Sequence, residues 1–284
     1  MQSIKLKDRS YSVENLPSEP SLLVELLDLC HNEDANFEMF ASSIAKDAAL
    51  TAKILQVANS PAYRQWNEVT DLRRMLIVLG MTNIRTIVTT CTVQQFFSQF
   101  TRIFSRHVQF IWLRSLVCAN LSERLSKLVG YDKPGEAFLA GLLHQVGMLL
   151  FLLNHEQDYR PVIERYYKDT EDFCNQERSA FGADHCELGA ALVDSWKMDS
   201  FIADAIQYQQ APVDELKSSP TLLKILAVAS PLSSKNNVRD TRAFLAKAGT
   251  LFDMTEGTVL DCLDIAVEKS IKMISDLGFS GRFY

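Results

Sequence analysis

Apolar residues recur along this chain at spacings of three and four, and no segment sustains the strict alternation of a half-buried strand. Leu22, Leu23, Leu26, Leu27 and Cys30 share one helical face behind the start signal Pro20-Ser21. Phe110, Leu113, Val117, Leu121, Leu125 and Leu128 line a longer one within a helix predicted over 105–128. A stripe of that period is removed from water only by packing against another helix. The 11 glycines and 8 prolines fall at boundaries rather than inside the periodic segments. Further helices are predicted over 37–46, 71–79, 83–97, 135–153, 170–180, 185–195, 200–208, 220–234, 242–247 and 256–277. Asp47 is read as the N-cap of a helix carrying Leu50, Ile54 and Val57, which Asn59-Ser60-Pro61 ends. The expected class is all-α, with no significant sheet.

Charge and cysteine usage exclude several functions. A net charge of -6, with the basic residues scattered, gives no footprint for nucleic acid. The six cysteines include no Cys-x-x-Cys pair and several lie among apolar neighbours, as in a reduced, cytoplasmic protein. Met1 to Ser12 is polar and lacks the apolar core of a secretory signal. The apolar run at 137–153 is interrupted by His144, Gln145 and Gly147, which reads as short of a membrane span. That run raises the central question, because "AGLLHQVGMLL" (140–150) sets an imidazole beside a carboxamide in what otherwise looks like core.

Three stretches carry a likeness. "LPSEPSLLVELLDL" (16–29), "IAKDAALTAKILQVANSPAY" (44–63) and "LRRMLIVLGMTNIRTIV" (72–88) resemble the first half of the HDOD domain, a relative of the HD phosphohydrolases found in bacterial signalling proteins. Its hallmarks here are Leu16-Pro17, the Ile44-Asp47-Leu50 set, Ala58-Asn59-Ser60 and Leu79-Gly80. Trp112, "AFLAGLLHQVG" (137–147), "FGADHCELGAALVDSW" (181–196) and "AIQYQQAP" (205–212) continue the likeness. The resemblance implies a polar extension over 1–13, an HDOD domain over 14–235 with parts 14–100 and 101–235, and packed C-terminal helices over 236–284. Gly80 suits a helix end, where a left-handed residue is wanted, and Trp112 and Trp196 read as packing residues.

In the parent HD fold, as the resemblance implies, histidines and aspartates from separate helices hold one or two divalent metals that activate water against a phosphoester. The matching positions here are Arg114 for the first histidine, His144-Gln145 for the His-Asp pair and His185 for the histidine between Gly182 and Gly189. Gln209-Gln210 stand at a His-His pair of related subfamilies, and Ser230 at the final aspartate. An amide is a weak neutral ligand for a hard cation, and Arg114 sets a permanent positive charge where the ion belongs. These seven residues are therefore expected to form a vestigial pocket, with no catalytic residue, metal or cofactor. The neighbours His155/Glu156 and Asp184/His185/Glu187 read as chance groupings, and His107 as a helix-end or surface residue.

The function so implied is a non-catalytic, stand-alone signalling module that meets a signalling protein in trans, with no nucleic-acid or membrane partner. Two alternatives stay open. One is a metal-dependent phosphohydrolase or phosphodiesterase. The other is a non-hydrolytic nucleotide or anion sensor, in which Arg114 grips a phosphate bidentately.

Overall fold

A computed structural model describes residues 3–7, 9–13, 21–32, 34–60, 72–166, 173–197, 200–234 and 238–276. The hallmark Leu16-Pro17 and the helix stop Pro61 lie outside them. The chain opens with β1 (Ser3–Leu6) and β2 (Arg9–Ser12), an antiparallel hairpin pairing Ile4 with Tyr11. Every element after it among the described residues is helical. The first group is α1 (Ser21–His31), α2 (Phe37–Ile44), α3 (Ala48–Ala58) and α4 (Leu72–Ser98). Then follow α5 (Thr101–Leu128), α6 (Pro134–Leu143), α7 (Val146–Asn154), α8 (Glu156–Tyr166), α9 (Phe173–Phe181) and α10 (His185–Ser195). The last are α11 (Ser200–Tyr208), α12 (Val213–Leu216), α13 (Thr221–Leu232), α14 (Val238–Phe252) and α15 (Glu256–Asp276). The all-α expectation holds, with the hairpin as an addition; strands of four residues are too short to display a period.

Local chemistry sets the breaks. The Asp47 carboxylate accepts from Leu50 N at 2.9 Å, capping α3, while its other oxygen accepts from Gln95 Nε2 at 2.7 Å and ties α3 to α4. Gly80 interrupts α4 at φ 73°, a backbone conformation that side chains beyond glycine rarely adopt, so 72–98 is two helices joined at an angle, as the sequence suggests. The gap expected between the helices predicted over 83–97 and 105–128 shrinks to Gln99-Phe100, because α5 begins at Thr101.

α5 is the axis of the molecule, with α6, α13 and α15 packed along it. Trp112 on α5 is fully buried against Phe97, and Trp196 meets Phe96. On the α15 side, Asn120 Nδ2 donates to Ser270 Oγ at 2.9 Å and Lys269 pairs with Glu123 at 2.9 Å. α7 crosses α10 at Gly147, where a Cβ would lie 2.1 Å from the His185 carbonyl oxygen. The hairpin closes over α7, α9 and α10: Tyr11 is buried and donates its hydroxyl to Phe181 O at 2.7 Å. The 21 residues Pro134–Asn154 are long and apolar enough to cross a membrane by composition, yet 94% of their most apolar window is covered by protein. This stretch is core.

Candidate functional site

The helix expected over 135–153 is in fact broken at His144-Gln145. In an unbroken helix the His144 carbonyl would accept from Met148 N. Instead Met148 N donates to Gln145 O at 3.0 Å, and Gln209 Nε2, just beyond α11, donates to His144 O at 2.9 Å. A side chain from another helix thus takes over a backbone bond, and the dipeptide turns into the space between α5, α8 and α10.

His144 is fully buried. Its Nδ1 lies 2.7 Å from Gly141 O, an acceptor, which fixes the proton on Nδ1 and leaves Nε2 as a buried lone pair without a hydrogen-bond partner among the described residues. Burial, reinforced by the nearby Arg114 charge, drives its pKa down to about 3, so the imidazole is neutral. Gln145 Nε2 donates to Tyr166 Oη at 2.9 Å. Arg114, also buried, holds its guanidinium 4.4 Å from the Tyr166 ring centre and 5.5 Å from that of Phe110. Cation–π contact with two rings in a dry site is worth about 1–2 kcal/mol each and partly offsets desolvation of the charge.

His185 opens α10 and is organised differently. Its Nδ1 lies 2.6 Å from Glu177 Oε2, and its backbone N donates to the same oxygen at 2.9 Å. Tyr159 donates its hydroxyl to Glu177 Oε1 at 2.5 Å. Burial alone would lower the His185 pKa; the Glu177 carboxylate overrides it and, with Cys174, holds it well above the usual value. Nε2 faces Cys186 Sγ at 3.5 Å. The hydrogen bond with Cys186 pulls the Cys174 thiol down to about 7 against its burial. A cavity of about 540 Å³ opens beside this group, lined by Cys174, Arg178, His185 and Gln210 among others.

Six of the seven expected pocket residues gather around the α6–α7 break, but not about one cavity. Arg114, His144, Gln145 and Gln209 are buried behind Tyr166, whereas His185 and Gln210 line the cavity, Gln210 from its exposed rim. Ser230 is buried on α13, its carbonyl accepting from Ser233 Oγ at 2.7 Å. Asp184 and Glu187 form the capping box of α10 and pair with Arg178, so that grouping serves the helix rather than chemistry. His107 is no surface residue: it is buried within α5, 3.9 Å from Glu164. Sequence reasoning missed Tyr166, Glu177, Cys174 and Cys186. Glu177 precedes His185 by eight residues, and only the turn between α9 and α10 makes them neighbours.

The donor set does not fit the hydrolytic metal centre of the HD fold. His144 offers a free Nε2, but its neighbours are the Gln145 amide and the Arg114 guanidinium. The buried carboxylates close by are both engaged: Glu177 is bound to His185 and Tyr159, and Asp184 caps α10 and pairs with Arg178. A hard divalent ion needs carboxylate oxygens and no fixed cation beside it.

A multi-helical body built on a broken helix, with a histidine at the break and an amide where an acid would complete a metal site, defines a degenerate relative of the HD phosphohydrolases. The HDOD domain pattern matches residues 16–212, and the chain belongs to that family. Among solved structures it is similar to an HDOD domain protein of unknown function from Geobacter sulfurreducens, at TM-score 0.72 and 22% identity, covering 93% of this chain and 94% of that one. It is also similar to a Shewanella amazonensis SB2B protein named "Putative phosphohydrolase", at TM-score 0.71 and 25% identity, covering 93% and 96%. An uncharacterized protein of Treponema pallidum (strain Nichols) is 18% identical over 197 residues, 69% of this chain; the chain spans 38% of that relative's length.

Proposed function

We propose that this chain is a non-catalytic regulatory module of the cytoplasm, acting through contact with a signalling protein in trans, with no nucleic-acid or membrane partner. One observation carries the reading: near His144, close enough to depress its pKa, stands the Arg114 guanidinium stacked on Tyr166, with Gln145 bonded to the same ring's hydroxyl. Replacing ligands by a stacked cation and an amide removes the charge balance that a metal-activated water requires. The test is turnover. Purified protein loaded with Mn²⁺, Fe²⁺ or Mg²⁺ and offered bis(p-nitrophenyl) phosphate or a cyclic dinucleotide is expected to show the buffer rate, unchanged by His144→Ala. Metal-dependent hydrolysis abolished by His144→Ala would restore the phosphohydrolase reading that the Shewanella neighbour's name suggests.

A second reading, the non-hydrolytic nucleotide sensor, is favoured by the cavity, which joins Arg178, His185 and Gln210. Calorimetry with cyclic dinucleotides on wild type, Arg114→Ala and Arg178→Ala decides it. Heat lost in either variant supports a phosphate grip, and no heat in wild type retires it.

A further inference from the structure

Three soft or borderline donors converge beside the cavity, two of them, Cys174 and Cys186, outside the HD positions. Cys174 lies in the first turn of α9, and His185 and Cys186 form the first turn of α10. Their ligand atoms all lie within 4.8 Å of one another, and Cys186 Sγ is 3.5 Å from His185 Nε2. A tetrahedral zinc site, with Zn–S of about 2.3 Å and Zn–N of about 2.05 Å, has S···N edges of about 3.6 Å and S···S edges of about 3.8 Å. The His185–Cys186 edge already has that length. The half-buried Cys174 completes the face with a shift of about 1 Å or less, within reach of a side-chain rotation.

The shell behind the donors has the form such a site requires. A metal-binding histidine characteristically anchors its far nitrogen on a carboxylate, which sets the tautomer and the ring plane. Here Glu177 holds His185 Nδ1, and Tyr159 and the His185 backbone N hold Glu177, so Nε2 is aimed at the two sulfurs. Both thiols also sit at helix N-termini, where the backbone dipoles favour thiolate and oppose the burial that pushes the Cys186 thiol well above its usual range.

The geometry points to a binding site for a thiophilic divalent cation, Zn²⁺ in the first instance, held by Cys174 Sγ, His185 Nε2 and Cys186 Sγ, with a fourth position opening on the cavity that Cys174 and His185 line. Thiolates select such an ion over Mg²⁺ or Mn²⁺. Binding releases the thiol protons and any proton on Nε2, while the Nδ1 proton stays on the ring and is donated to Glu177. The ion would clamp α9 to α10 using neither His144 nor Arg114, so the site is independent of the regulatory reading above.

The test uses the full chain, stripped with a chelator, kept reduced, and titrated with Co²⁺ and then Zn²⁺. The expected result is one equivalent of Co²⁺ with a thiolate-to-cobalt charge-transfer band that Zn²⁺ displaces. Cys174→Ser and Cys186→Ser each weaken binding at least tenfold, and Cys30→Ser leaves it unchanged. Glu177→Gln keeps the band but lowers affinity about 10–100-fold, the effect of losing an outer partner. Far-UV circular dichroism shows that each variant is folded. Absence of the band in the intact chain overturns the site, as does a band that survives in the Cys174→Ser/Cys186→Ser double variant. Hydrolysis that depends on His144 would overturn the regulatory reading alone.

Discussion

His144 holds its proton on the Gly141 side and cannot accept a second one without charging a dry site that already contains Arg114. Its folded pKa of about 3 lies below the unfolded value of about 6.5, so the unfolded chain binds the extra proton first as pH falls. The His144 contribution is therefore complete above pH ~6.5 and is lost progressively as pH drops toward 3. His185 runs the other way: its raised pKa makes the Glu177 pairing fully stabilising below ~6.5, a contribution that fades only as pH rises through the folded value. Between pH 7.5 and 5.5 the His144 loss amounts to about 1 kcal/mol. Urea unfolding at those two pH values is expected to show a change in stability that is less favourable in wild type than in His144→Gln by that amount; an identical change in both would remove this account. Asp47 is a second residue with two jobs, cap and cross-link. Asp47→Ala is expected to cost about 1–2 kcal/mol in the same assay, while the more conservative Asp47→Asn recovers part of it.

The elements were legible in proportion to the length of their periodic pattern. α1, α3, α10 and α11 stand close to where capping residues and apolar stripes put them, and Gly80 bends α4 where its freedom from a side chain suggests. The stretch 134–154 was misread as one helix because apolarity on every face carries no period, and the bond that breaks it comes from Gln209, 65 residues away. The same is true of the α7–α10 crossing. Two glycines, Gly147 and Gly189, let the backbones touch, which neither residue announces in one dimension. Gly147→Ala is expected to push α10 away and destabilise the chain by about 1–3 kcal/mol, the usual range for overpacking. Amide exchange should rise around His185, on the crossing, rather than in α1. Uniform exchange would mean that the crossing is not rigid.

For the molecule as a whole, the hairpin is the part that sequence reasoning left outside. Tyr11 fills the space between Phe151 and His155 with edge-on contacts, and Asn154 bridges both ways to the Ser12 backbone, at 2.7 and 3.0 Å. Tyr11→Ala is expected to cost about 3 kcal/mol, as for other large buried aromatics, and to lower the unfolding midpoint in a single transition. Two transitions would make the hairpin an appendage. The linear chain by itself determined the helical class, the family motifs and the loss of the acid beside His144, because each of these is written in local spacing or residue type. Only the tertiary structure decided that Arg114 lies stacked on Tyr166, that Glu177 is the partner of His185, and that two cysteines face the same imidazole. Those relations depend on how helices cross, and crossing is settled by the packing of distant side chains that a one-dimensional period cannot express.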